Sequence, residues 1–324
     1  MTPLRSTVAT VFHSQFHDGD RFLPEGPRSV VLEGRPAIAW VNIQTDVDSK
    51  GGDIHVRFWN EEHCTYVQSA RPGFIFPTDR ADTLLVGMEK EIGTLNMATN
   101  TFTPLVDIGD PNPRTVINDG EIVPGGRAIV FGTKDIRFAD PIAKLYLFTL
   151  DDNRLSVLAD GQLCSNGKCF AQDANGLVLY DIDTPHRNVV RYRLDLAGRA
   201  VSEKTEILNL RDEPGFPDGM VDVGDGTVII AYYNPDPVPA GRAVRYDLKI
   251  GKAVEEWLTP GSPRVTCPLL VEHEGNVRLV LTTATEGMPA EMFEKCPEAG
   301  NLFWAETSLE KVPPNEVVQL QGSI

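Results

Sequence analysis

The sequence predicts an all-β chain, folded over residues 1–324 as a single six-bladed β-propeller domain with a metal site on its axis. Three observations lead there. Short β-rich runs are punctuated by Gly and Pro, one hairpin unit recurs six times, and polar residues recur at one phase of that repeat.

The punctuation comes first. Gly (28) and Pro (24) together make up about a sixth of the chain, somewhat above average usage. They bound runs such as GTVIIAYYN (226–234), VRLVLTTAT (277–285) and RAIVFGTKD (127–135), rich in the β-branched and aromatic residues of strands. Helical periodicity is nearly absent. The best helical candidate is PAEMFEKCPE (289–298), roughly one to two turns bounded by prolines.

The repeated unit is an alternating strand, a polar turn and a second short strand. It begins at Asp53, Glu91, Lys144, Val189, Ala243 and Asn301, with starts 38, 53, 45, 54 and 58 residues apart. Each unit supplies the outer hairpin of a four-stranded sheet, and six such sheets arranged radially close into a propeller. A β-sandwich is the alternative, but it has no reason to repeat one hairpin type at blade-like intervals. The two chain termini are expected to share one blade, which removes the unpaired edges of an open stack.

Composition narrows the function. Asp and Glu outnumber Lys and Arg 46 to 30, for a formal net charge of −16, so neither a nucleic acid nor an anionic membrane is expected as a partner. No apolar run approaches the roughly 20 residues of a membrane span. The first residues, Met1 to Arg5, show no secretory signal, and the chain reads as cytoplasmic. The five cysteines (Cys64, Cys164, Cys169, Cys267, Cys296) form no C-x-x-C pair and read as buried small hydrophobes.

Just ahead of each outer hairpin, where inner strands line the channel, stand LPEGP (Glu25), RPGF (Gly73), INDG (Asn118), CSNG (Asn166), FPDG (Asp218) and TCPL (Cys267). Their spacings are 48, 45, 48, 52 and 49 residues, one blade each. Equivalent positions converge on the axis, which gathers two carboxylates and two amides at the channel mouth. Such oxygen donors suit Ca²⁺ or Mg²⁺, with Mn²⁺ or Zn²⁺ also open. Singly, N-D-G, S-N-G and P-D-G also read as turns, with Gly supplying positive φ. The shared phase favours the channel.

These residues carry a resemblance. The chain resembles the senescence-marker-protein/gluconolactonase/luciferin-regenerating-enzyme family of six-bladed propellers, through PEGP (24–27), INDGEIVPGGRAIVFGT (117–133), CSNG (164–167), FPDGM (216–220), IIAYYN (229–234) and PEAGNLF (297–303). The resemblance implies a metal-dependent hydrolase of a small molecule, most often a lactonase. It implies Glu25, Asn166 and Asp218 as ligands of one divalent ion, Ca²⁺ first among Ca²⁺, Zn²⁺, Mg²⁺ and Mn²⁺. Asn118 matches a residue that contacts substrate or a metal-bound water, and Asp218 stands where it can also accept a proton.

Two positions depart from the pattern of the animal gluconolactonases of this family. Their Arg two residues before the asparagine of N-D-G is here Val116, with Arg114 the nearest arginine, and their Glu five residues after the Gly of G-T is here Arg137. A polyhydroxylated sugar lactone therefore loses two expected partners. Arg137, if it points inward, can grip a substrate carboxylate or phosphate; if outward, it is a solvated loop arginine and a more apolar lactone is expected.

Other candidates carry less. His186 reads as a turn histidine, and the i, i+4 spacing of His13 and His17 as accidental in a β-rich segment. Ser165 lacks a nucleophile elbow, Cys267 reads as a structural thiol, and Glu121 is expected to face away from the channel. The readings that compete with a hydrolase are a non-catalytic or divergent propeller, whose structural metal serves a bound small ligand or partner, and a relative turned to another carbonyl or phosphoester reaction.

Overall fold

The structure is a computed structural model and describes residues 4–15 and 17–320. Strands β1 (Arg5–Val8) and β2 (Thr10–His13) precede the ring. Blade one follows, with β3 (Pro24–Leu32), β4 (Arg35–Asn42), β5 (Gly52–Phe58) and β6 (His63–Gln68). Blade two holds β7 (Pro72–Pro77), β8 (Thr83–Met88), β9 (Glu91–Asn96) and β10 (Thr101–Asp107); blade three holds β11 (Thr115–Ile122), β12 (Ala128–Asp135), β13 (Ala143–Thr149) and β14 (Arg154–Gln162). Blade four is β15 (Ser165–Asp173), β16 (Gly176–Asp183), β17 (Asn188–Asp195) and β18 (Ala200–Asn209), and blade five is β19 (Phe216–Asp222), β20 (Thr227–Tyr233), β21 (Ala240–Asp247) and β22 (Lys252–Pro260). Blade six is built on β23 (Val265–His273), β24 (Asn276–Thr283) and β25 (Leu302–Glu306).

Six antiparallel sheets thus form a six-bladed propeller. The first strand of each blade touches the first strand of the next, and β23 returns to β3. Strands such as β12 are apolar in continuous runs because both of their faces pack on neighbouring blades.

Five of the six repeated units are the outer hairpins expected of them. The sixth differs. Its first half is β25, which pairs with β2 from the N-terminus, so both ends of the chain share blade six as expected. Its second half runs across the face of the ring opposite the channel mouth, where Asn315 donates to Ser29 and Gln319 to the Gly126 carbonyl. β1 goes further and pairs in parallel with β22 at the edge of blade five. Of the helical candidate at 289–298, only Ala290–Phe293 is helical, packed through Met288, Met292, Cys296 and Ala299. Among the described residues, no helix is long and apolar enough to cross a membrane.

A candidate metal centre at the channel mouth

Every inner strand breaks its register at the position singled out by phase. The shifts fall between Glu25 and Arg28, Pro72 and Phe74, Ile117 and Gly120, Asn166 and Lys168, Pro217 and Met220, and Val265 and Pro268. A bulge re-aims the residue beside it, and six in a ring turn these six positions, five of them with side chains and Gly73 without, towards the axis. The glycines serve this geometry in a way a turn reading does not foresee. Only Gly26 has positive φ, at 51°, whereas Gly120, Gly167 and Gly219 do not. A Cβ at Gly167 would instead lie 2.6 Å from the Asp218 carbonyl oxygen, so glycine is needed there for close approach of blades four and five.

Glu25, Asn118, Asn166 and Asp218, from four different blades, line one cavity of about 390 Å³. All four are buried. Asn118 donates from Nδ2 to the Ser165 carbonyl (2.9 Å) and to Asn166 Oδ1 (2.8 Å), while Asn166 Nδ2 donates to Thr184 Oγ1 (2.8 Å). Thr184 in turn donates to the Pro217 carbonyl at 2.9 Å. This chain of bonds fixes the orientation of both amides without using either carboxylate.

The two carboxylates are costly as they stand. Burial, followed by the nearby Asp119, pushes Glu25 up to about 8, against the Gly26 N–H and the charge of Lys134. Burial and then Glu25 push Asp218 well above the usual carboxylate range. Two desolvated acids, each raised further by nearby carboxylates, stand beside the amide of Asn166 and form a hard-oxygen donor set. A divalent cation fits it. Cys164 lines the same cavity, but burial drives its thiol far up and keeps it protonated.

The remaining candidates divide. Arg137 is exposed on the turn after β12 and is absent from the cavity wall. That turn is pinned from beneath by Asp135, which accepts the Arg137, Ala139 and Asp140 N–H groups and pairs with Arg114. Val116 is fully buried and lies opposite Lys134 in the β11–β12 register. His186 is a turn histidine as expected, bonded to Asp183 at 2.7 Å. Ser165 Oγ accepts from Lys168 at 3.0 Å. Glu121 corrects the sequence reading: it pairs with Arg28 at 2.8 Å, and because those residues sit in non-adjacent blades, the pair spans the channel below the site.

Two groups at the cavity escape the phase argument. Lys134 is buried at the end of β12, and Glu286 stands on the long connection between β24 and β25. Neither occupies an inner strand, where the repeat can be counted. The rest of the wall is largely apolar, with Leu23, Ile43, Phe138 and Phe216.

Comparison with known proteins agrees with this architecture. Residues 23–285 match the family model described as SMP-30/Gluconolactonase/LRE-like region. An uncharacterized protein of Sulfolobus acidocaldarius is 28% identical over 248 residues, covering 74% of this chain and 82% of its own. The putative sugar lactone lactonase YvrE of Bacillus subtilis is 27% identical over 225 residues, covering 69% of this chain and 73% of its own. A solved structure from Agrobacterium tumefaciens, described as regucalcin, a calcium-binding protein, superposes with a TM-score of 0.79 at 18% identity, covering 97% of this chain and 100% of that one.

Proposed function

Because the chain belongs to the SMP-30/gluconolactonase/LRE-like family, we propose that it is a metal-dependent lactonase that opens the ring of a small lactone carrying apolar substituents. The observation that carries this reading is the convergence of Glu25, Asn118, Asn166 and Asp218 from four blades into one buried cavity. The side-chain oxygens of Glu25, Asn166 and Asp218 would hold one divalent ion, Ca²⁺ first among the candidates. When bound, such an ion polarises a lactone carbonyl and stabilises the negative charge that develops on its oxygen.

The chain's own groups supply the rest. Asp218 accepts the proton of the attacking water. Asn118, locked by its bonds to Ser165 and Asn166, orients the substrate. Lys134 offers an ammonium to the carboxylate that ring opening creates. Leu23, Ile43, Phe138 and Phe216 exclude water and favour an apolar substituent. Against that wall a sugar hydroxyl left unpaired would cost about 1–3 kcal/mol. The reading keeps a small-molecule substrate as the partner and the cytoplasm as the place of action.

The test is hydrolysis of a lactone and ester panel by metal-stripped protein reloaded with Ca²⁺, Mg²⁺, Mn²⁺ or Zn²⁺. Turnover should return with metal, and alkyl-substituted lactones should outperform gluconolactone in kcat/KM. Absence of metal-dependent turnover on every substrate would leave a binding propeller instead.

A further inference from the structure

We propose that the seam where the ring closes holds a second cation site, separate from the central cavity, formed by Asp20, Asp53 and His55 and suited to a borderline ion of the Zn²⁺ class. Asp53 and His55 are alternate residues of β5, so their side chains leave the same face of blade one. The chain that leaves blade six at the end of β2 enters blade one through the turn Gly19–Arg21, which brings Asp20 to that face. One ring nitrogen of His55 and one carboxylate oxygen from each aspartate lie within 4.8 Å of one another. A tetrahedral ion with bonds of about 2.0 Å sets its ligands roughly 3.3 Å apart, so a bound ion would draw the three groups closer together.

The second observation is the state of His55. Its ring is fully buried and stacked on Trp40, with centroids 5.2 Å apart. Nδ1 is held by His63 Nε2 at 3.1 Å and Thr65 Oγ1 at 3.2 Å, whereas Nε2 has no hydrogen-bond partner. An imidazole with one nitrogen fixed by a neighbour and the other presented bare is the arrangement found at metal-bound histidines. Left as it is, that buried nitrogen forfeits a hydrogen bond. The two buried carboxylates beside it add negative charge that a divalent ion neutralises.

The donor set also selects. Ca²⁺ and Mg²⁺ take oxygen ligands, so a buried imidazole works against them, whereas mixed N/O donors suit Zn²⁺. The two sites should therefore part company by metal, hard ions at the axis and a borderline ion at the seam. Bound there, the ion ties the incoming N-terminal segment to blade one and stabilises the closed ring.

The experiment uses the full chain with the axial site disabled by Glu25→Gln and Asp218→Asn. Metal-stripped and titrated with Co²⁺, this variant should bind one ion, with the visible absorption of a four-coordinate N/O site. Zn²⁺ should bleach that absorption and raise Tm. Adding Asp53→Asn or Asp20→Asn, both isosteric, should weaken Co²⁺ binding by about 10- to 100-fold, with circular dichroism confirming the fold. Should the axial double variant not fold, the titration on the otherwise unaltered chain decides, since Asp53→Asn should lower its Co²⁺ stoichiometry by one. No Co²⁺ spectrum in the axial variant, or a spectrum indifferent to both aspartate changes, overturns the proposal.

Discussion

The channel mouth and the closure seam both bury clusters of ionisable side chains, and burial acts on them in opposite directions along the pH scale. At the mouth it pushes Glu25 up to about 8 and Asp218 upward with it, each further raised by nearby carboxylates. At the seam it pushes His13 down to about 4 and His55 to about 3, with the neighbouring imidazoles adding to the effect. Desolvation favours the neutral form in both places, but that form is the protonated acid at one and the unprotonated base at the other. At the seam, burial and then Asp20 raise Asp53 as well, but the neutral imidazole of His55 can donate its lone pair to a metal at once, whereas both axial carboxylates must first release protons. Metal binding at the mouth should therefore be the more strongly pH-dependent of the two.

The largest expected effect belongs to the mouth. Asp218→Asn keeps shape and removes the proton acceptor together with one anionic oxygen donor, so kcat/KM should fall by about 10³-fold or more with the far-UV spectrum unchanged. Wild-type turnover in that variant would remove Asp218 from the chemistry and, with it, the reason to read the mouth as catalytic.

Next comes the pH dependence of stability in metal-free protein. Glu25 has a folded value of about 8 against an ordinary 4.5, so the folded chain holds its proton longer. Its contribution is full below pH 4.5 and is lost as the pH rises towards 8. His13 and His55 behave in the opposite sense: with folded values of about 4 and 3 against 6.5, their contribution is full above 6.5 and is lost as the pH falls towards 3. Tm against pH should thus decline on both sides, and Glu25→Gln should flatten the alkaline limb alone. A limb unchanged by Glu25→Gln would place the alkaline sensitivity elsewhere.

A smaller effect tests how the mouth is assembled. Gly167→Ala would drive a methyl group against the Asp218 carbonyl, and the blades must part to admit it. The expected loss is about 1–3 kcal/mol of stability, read by denaturant unfolding, together with weaker Ca²⁺ binding because Asn166 and Asp218 separate. If glycine were there only as a turn residue, alanine would cost far less.

Much of the mouth was legible because a propeller repeats. Glu25, Asn118, Asn166 and Asp218 occur at blade intervals beside small residues, and a linear count finds them. The physical reason for those small residues was not legible, since a bulge with close interblade approach and a type-specific turn draw on the same tripeptides. Lys134 and Glu286 lie off the inner strands and carry no phase. The seam was hidden for a different reason. His13, His55 and His63 are brought together by ring closure, with His13 on the N-terminal strand and the other two in blade one, so only tertiary packing reveals the cluster. The repeat likewise promised a sixth hairpin, but the need to close the ring gave its partner strand to the N-terminus.

The smallest expected effect concerns the two cations beside the mouth. Lys134 is buried in the cavity wall, and its charge already bears on Glu25 and Asp218. Arg137 stands exposed three residues later, on a turn anchored by Asp135, and is absent from that wall. Charges in solvent are screened over about 8–10 Å at ordinary salt, whereas a buried one is not. Lys134→Met should therefore lower kcat/KM for lactone substrates by about tenfold, mainly through kcat, because the carboxylate that its charge-assisted hydrogen bond meets forms only as the ring opens. Arg137→Glu, although it reverses a full charge, should leave kcat/KM within about twofold, with the residual difference vanishing at high salt. Steady-state kinetics on the same alkyl-substituted lactone at low and high ionic strength compares the two directly. A tenfold loss in Arg137→Glu that survives high salt would mean the turn folds inward over bound substrate, and the outer rim would then join the mouth as part of the specificity pocket.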